Sequence, residues 1–163
     1  MVSWDELEFL GFTFFGRYVR IRVAENSIHR FKRRLRELTG RSWGASMERR
    51  LSELRSYVRG WMGYYGLAME LKLYDNCDQW IRRRIRMCFW KRSRYPRTRT
   101  RELMRLGVSR RQAIRHGKSR KRYWHMAKTI ARGVGLANAW LTEQGLLSLK
   151  SLWGELAPFR RTA

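Results

Sequence analysis

Hydrophobic positions recur along this chain with two different periods, and the change of period divides it. Between Glu8 and Val23, Phe12, Phe14, Tyr18 and the run Val19-Arg20-Ile21-Arg22-Val23 follow the alternation expected of strands. Gly16-Arg17 punctuates the stretch and predicts the tight turn of a β-hairpin, with Arg20 and Arg22 on its polar face. From Ser27 the spacing becomes three and four. Ile28, Phe31, Leu35 and Leu38 form one helical stripe that ends near Thr39-Gly40, and Arg30, Lys32, Arg33, Arg34 and Arg36 fill the remaining circumference. Ser46 has the character of an N-cap for a longer helix with Met47, Leu51, Leu54, Val58, Trp61 and Tyr65 on one face. A third helical stretch runs from about Tyr74 to Arg92. Its apolar positions are Cys77, Trp80, Ile81, Ile85, Cys88 and Phe89, with Arg82, Arg83, Arg84 and Arg86 between them. Three amphipathic helices with short connectors predict a small bundle.

Arg94-Tyr95-Pro96-Arg97-Thr98-Arg99-Thr100 breaks the pattern and is the best internal boundary. Beyond it the chain reads as short helices: Thr100 to Leu106, a capping-box-like start at Ser109 and Gln112 leading to His116-Gly117, Tyr123 to Lys128, and Leu136 to Gln144. Leu146, Leu147, Leu149, Leu152 and Trp153 form a last apolar segment. The predicted fold is therefore mainly α. It comprises a β-hairpin in residues 1–24, a three-helix bundle in residues 25–93 and a basic cluster of short helices in residues 94–163.

Charge changes this picture more than composition does. Thirty-seven Lys and Arg oppose 13 Asp and Glu, for a formal net charge of +24. Like charges repel most in the compact state, and a polyanion that sheds its condensed counterions relieves the repulsion. Hydrophobic residues make up 44% of the chain and Pro only 2 of 163, so the excess sits on a folded protein and not on a disordered tail. Between Gln79 and Thr142 the one acid is Glu102, against 20 Lys or Arg. A solvated helix face mixes both signs, and this stretch does not.

Other chemistry is thinly represented. Cys77 and Cys88 share one helical stretch and one face, which suits small buried hydrophobes better than a disulfide framework or a zinc site. His29, His116 and His125 have no Cys or carboxylate at ligand spacing, so no metal and no cofactor is expected. No apolar run reaches the roughly 20 residues of a membrane span. The acidic start Met1-Val2-Ser3-Trp4-Asp5-Glu6 lacks the form of a signal peptide. A cytoplasmic protein without a membrane partner is expected.

Several motifs taken together resemble the C-terminal part of a bacterial group II intron reverse transcriptase/maturase. Phe9-Leu10-Gly11-Phe12 before a hairpin is similar to the element that closes the palm of these enzymes. The stretch from Leu54 to Tyr65, with Arg59-Gly60-Trp61-Met62-Gly63-Tyr64-Tyr65, and the helix Asp78-Gln79-Trp80-Ile81-Arg82-Arg83-Arg84-Ile85-Arg86 resemble two signatures of the thumb, or maturase-specific (X), domain. Gly117 to Trp124, Asn138-Ala139-Trp140-Leu141 and Gln144 to Leu149 look like the tail of bacterial members. FLGF alone is a weak signal; RGWxxYY with WIRRRxR at this spacing is strong. The YADD-type metal-binding motif of the family is missing, and Asp5, Glu6 and Glu8 have neither the spacing nor the context to replace it. The chain is therefore expected not to be an enzyme by itself, and to be a truncated or separately encoded half or a remnant.

The resemblance implies an RNA-binding maturase module that stabilises folded group II intron RNA and assists splicing. Two alternatives stand beside it: the C-terminal half of a split reverse transcriptase, active only with a separate fingers/palm chain, and a general nucleic-acid-binding remnant. A DNA target is a further candidate partner, motivated by the helix-turn-helix outline from Leu103 to Gly117. The candidate RNA-binding residues are Arg30, Arg33, Arg34, Arg55, Arg59, Arg82, Arg83, Arg86, Lys118, Arg120, Lys121 and Arg122. Arginine's planar fork suits bidentate contact with phosphate. Tyr123 and Trp124 are candidates for stacking on an unpaired base, with core packing as the other reading for Trp124. Trp61, Tyr65, Trp80 and Ile81 are expected in the core. Gly60, Gly63 and Gly66 recur every third position and weaken a helix, so either a neighbouring helix or an RNA backbone is expected to approach closely there.

Overall fold

The computed structural model describes residues 8–15, 20–40, 42–128 and 135–156. The protein is mainly helical with a small antiparallel sheet at its N-terminal end. Strands β1 (Glu8–Phe9), β2 (Phe12–Phe15) and β3 (Arg20–Val23) lie side by side in that order. β2 and β3 form the expected hairpin pair, Phe12 opposite Val23 and Phe15 opposite Arg20. Its Gly16-Arg17 turn lies outside the described residues. The structure adds β1, which joins β2 through Leu10-Gly11, with φ of 51° and 80°. Two successive positive φ angles have the sign pattern of a type I′ hairpin turn, where Leu is an uncommon and strained occupant. FLGF is thus a hairpin in its own right, and a two-residue strand is too short to show as a period.

The next three helices follow the apolar stripes. Helix α1 (Glu25–Leu38) buries Phe31, Leu35 and Leu38, and α2 (Met47–Tyr65) buries Leu51, Leu54, Val58 and Trp61. Helix α3 (Leu71–Arg92) buries Tyr74, Cys77, Ile81, Ile85 and Cys88. Ser46 caps α2, its hydroxyl accepting from Arg49 N at 3.2 Å. The start of α3 lies one turn earlier than the apolar pattern predicts, because Leu71 and Lys72 are exposed and add nothing to the stripe. Tyr74 fixes the α2–α3 connector by donating its hydroxyl to Tyr65 O at 2.7 Å.

Helix α4 (Pro96–Arg105) begins inside the segment that reads as a break. Pro96 stands in its first turn, where the missing N–H would have no helical partner in any case. Helix α5 (Arg110–Gly117) follows, with Ser109 at its N-cap, but the Ser109 side chain makes no capping hydrogen bond. The expected capping box therefore does not form; Ser109 contributes only its carbonyl, to Ala113 N at 2.8 Å. Helices α6 (Tyr123–Met126), α7 (Asn138–Glu143) and α8 (Leu149–Leu156) complete the described chain.

Packing joins regions that the sequence separates. The main core takes residues from the sheet and α1 to α3, and also Ala127, Leu141, Leu146 and Leu149. Helix α8 lies along α2 and α3, so a late element completes the bundle. Its N-terminus is held by Asp78, which is only 2% exposed. The Asp78 carboxylate accepts from Leu149 N at 2.8 Å, Lys150 N at 3.2 Å and the Ser148 hydroxyl. A buried negative charge is well placed at the positive end of a helix. A second, smaller core gathers Trp90, Leu103, Val108, Ala113, Met126 and Leu136.

Candidate nucleic-acid interface

Arginines near the middle of the chain turn inward. Arg50 is 5% exposed and donates to Leu38 O, Gly40 O and Trp43 O at 2.9–3.0 Å, gathering the carbonyls between α1 and α2. Arg84 donates to the Thr39 hydroxyl and to Arg36 O at 3.3 Å. Arg83 donates to Trp124 O at 3.2 Å and lies 3.6 Å from the centre of the Trp124 ring, and burial pulls its guanidinium below the ordinary arginine value. Arg86 donates to Leu136 O at 2.8 Å and to Asn138 Oδ1 at 2.7 Å. Loop and helix-end carbonyls have no partners of their own, and these guanidinium groups supply donors.

Several of the expected site residues are engaged within the protein itself. Arg86 is only 3% exposed, with its guanidinium held by the chain's own acceptors. Arg83 covers one face of Trp124, which leaves that face closed to a base. Tyr123 is half-buried beneath Arg99, 5.4 Å from its ring centre. Arg82 is partly covered and sits 3.6 Å from Asp78. Trp61 and Ile81 are buried, and Tyr65 and Trp80 are half-buried against the same core.

The remaining candidates face outward. On α1, Arg30 and Arg33 line a shallow concavity with Arg36 and His29, and Arg34 is paired with Glu37 at 2.9 Å. On α2, Arg55 reaches Gly145 O at 3.2 Å with its head exposed, and Arg59 is exposed one turn further on. Lys118, Arg120, Lys121 and Arg122 are exposed in the connector between α5 and α6. Periodicity did not single out Arg97, Arg101, Arg105, Arg110, Arg111 and Arg115 as site residues, yet all are exposed on α4 and α5. None of these six makes a hydrogen bond or ion pair with its side chain among the described residues. The signal for them was the acid-poor run itself.

The three glycines divide: at Gly66, the C-cap of α2, a Cβ would come 2.7 Å from Leu156 Cδ1 of α8, so a neighbouring helix does approach closely there. A Cβ placed at Gly60 or Gly63 would meet nothing within 4 Å among the described residues, so no described helix approaches these two closely. With Ser52, Ser56 and Arg59 they form an open, low-relief strip on the outer face of α2. A phosphate backbone could lie against such a strip at close range.

The cysteines are structural. Burial raises both thiols, Cys77 to about 11, which keeps them protonated and unreactive. Among the described residues no group of three His, Cys, Asp or Glu side chains could hold a metal ion, and no helix is long and apolar enough to cross a membrane.

A mainly helical bundle faced with outward arginines, and tied internally by inward ones, defines the class of this protein. Residues 28–107, from α1 to the turn after α4, match the family described as the group II intron maturase-specific domain, and the chain carries that domain. The matched domain is distinct from the catalytic palm of the reverse transcriptase and fits a maturase-related role. The chain matches none of the curated proteins.

Proposed function

We propose that this protein binds folded group II intron RNA through its outward arginines and stabilises the splicing-competent RNA structure. The observation that carries the reading is the coincidence of a maturase-specific domain with exposed arginines lacking acidic partners on α2, α4 and α5. The protein's part is electrostatic and geometric: cations position the RNA backbone, and the transesterifications belong to the RNA. If about 6–10 phosphates are neutralised, affinity for intron RNA falls on the order of 10³–10⁵-fold between about 50 and 200 mM salt. Filter binding across that range tests it. A flat salt response, or equal affinity for intron RNA, tRNA and duplex DNA at matched salt, overturns the reading.

A second reading has its own observation. Phe9, Leu10, Tyr64, Leu67, Met69 and Leu71 are all exposed, between 42% and 73%, near the small sheet. The Tyr64 hydroxyl donates to Leu10 O at 3.0 Å, and Met69 N donates to Ile21 O at 3.3 Å, bringing these segments to the sheet. Such an apolar concentration on a basic protein marks a protein-contact surface. The half of a split reverse transcriptase is the reading it favours. Co-purification with a chain bearing the YADD-type motif, and primer extension by the mixture alone, is the expected result; failure to associate rejects it.

A further inference from the structure

A cleft of about 540 Å³ lies between the end of α3, helix α4 and helix α7. Pockets of about 300–1,000 Å³ are the size that engulfs small ligands. Three kinds of side chain meet in it. Phe89 and Trp140 are half-buried aromatic walls in edge contact, with ring centres 4.7 Å apart. Arg92 and Arg105 are exposed and make no hydrogen bond or ion pair among the described residues. Glu102 also lines the cleft, and it is the single acid in the run from Gln79 to Thr142.

Glu102 is the unusual member. Surrounded by arginines in sequence, it still has no salt-bridge or side-chain hydrogen-bond partner among the described residues. A carboxylate left as a bare acceptor in a basic cleft is available to a donor from outside. Trp90, in the wall of the same cleft, is 4% exposed and keeps its indole N–H buried with no acceptor among the described residues. Buried donors without partners are rare in folded proteins and mark places where something else completes them.

We infer that this cleft receives an unpaired guanine nucleotide of the bound RNA, with Glu102 reading the base. The inference rests on the RNA-binding reading above. Single-stranded bases are recognised by stacking on aromatic side chains and by hydrogen bonds to their Watson–Crick edge. Guanine presents two adjacent N–H donors on that edge, which the two oxygens of one carboxylate accept together. Adenine and cytosine set an acceptor beside their amino group, and uracil flanks its single N–H with carbonyls, so each faces the Glu102 carboxylate with repulsion. Arg92 and Arg105 at the mouth take the flanking phosphates.

The test uses the full chain and short uridine-rich single strands that carry one guanine, inosine, adenine, cytosine or uracil at a central position. Binding is followed by fluorescence anisotropy at fixed salt. Guanine is expected to bind about tenfold more tightly than adenine, cytosine or uracil, with inosine between them because it lacks the amino group. Glu102→Gln is expected to bring guanine down toward adenine while leaving the all-uridine strand unweakened. Arg92→Ser lowers affinity for every strand alike. Thermal melting of Glu102→Gln confirms that it is folded.

Equal affinity for all five strands, or an unchanged guanine preference in Glu102→Gln, overturns the inference. So does displacement of the guanine strand by free guanosine monophosphate at lower concentrations than the strand itself requires, which would assign the site to a free nucleotide. Salt-dependent binding of intron RNA without base preference would reject this cleft and leave the RNA-binding reading intact. Loss of binding to every RNA would reject both.

Discussion

Arginines at the middle of α3 and most of those on α4 and α5 differ in what they touch, although Arg99 of α4 donates to Ser93 O at 2.7 Å. Arg83, Arg84 and Arg86 donate to carbonyls and side-chain oxygens of α1, its C-terminal cap and the segments after α5. Arg97, Arg101, Arg110, Arg111 and Arg115 stand in solvent. Both sets come from the same acid-poor run, so density of positive charge does not predict use. A guanidinium that finds backbone carbonyls becomes part of the framework, because its fork satisfies several acceptors that would otherwise be buried unpaired. One that finds none keeps its charge for a partner. The net charge of +24 therefore overstates the surface offered to a polyanion, while the inward arginines position the outward ones.

Removing an inward arginine should cause the largest loss. Arg86→Met keeps much of the volume but leaves Leu136 O and Asn138 Oδ1 without donors, at a cost of about 2–3 kcal/mol. A lower denaturant midpoint with unchanged RNA affinity in the folded protein is expected. Unchanged stability would dissolve the distinction between the two sets.

An outward arginine should show the reverse profile. Arg59→Ala is expected to change stability by no more than about 0.5 kcal/mol. It should weaken intron RNA binding and lower the salt slope by about one. A variant that binds as before, with the same slope, would remove the outer face of α2 from the interface.

Gly60→Ala sharpens the same face by a smaller amount. With open space around the new Cβ, the helix gains about 0.5–1 kcal/mol, seen as a higher melting temperature. If RNA lies against the strip, the gain in stability comes with a loss of affinity; a gain in both would place the RNA elsewhere.

The smallest effect is a pH dependence at His116 on α5. Burial lowers its pKa, with Arg115 adding to the shift, and its Nε2 is buried without a partner among the described residues. The unfolded chain thus binds this proton more readily than the folded one. Its contribution to stability is present above about pH 6.5 and is lost as the pH falls through the unfolded value toward the lower folded one. Comparing wild type with His116→Gln over that range checks the sign: the variant should lose less stability on acidification.

Much of the architecture could be read directly from the amino-acid order. Stripes at three and four placed α1, α2 and α3, Ser46 announced its cap, and the RGWxxYY and WIRRRxR motifs pointed to the domain that residues 28–107 match. These features are local, set by a period or by residues within one turn. The short strand β1 escaped because two residues carry no period, and the Ser109 box was expected from side chains that do not meet.

What the sequence by itself determined is the helical bundle, the cysteines as core residues and the large basic excess. What only the tertiary structure decided is which arginines that excess leaves for a partner. Arg86 and Arg97 are indistinguishable in composition and nearly so in local context. One meets carbonyls fifty residues further along the chain and the other meets water. Hydrogen-bond acceptors brought by distant segments set a side chain's role, and no local period records where those segments return. Glu102 follows the same rule: one acid in a basic run acquires meaning only when α3 and α7 close a cleft around it.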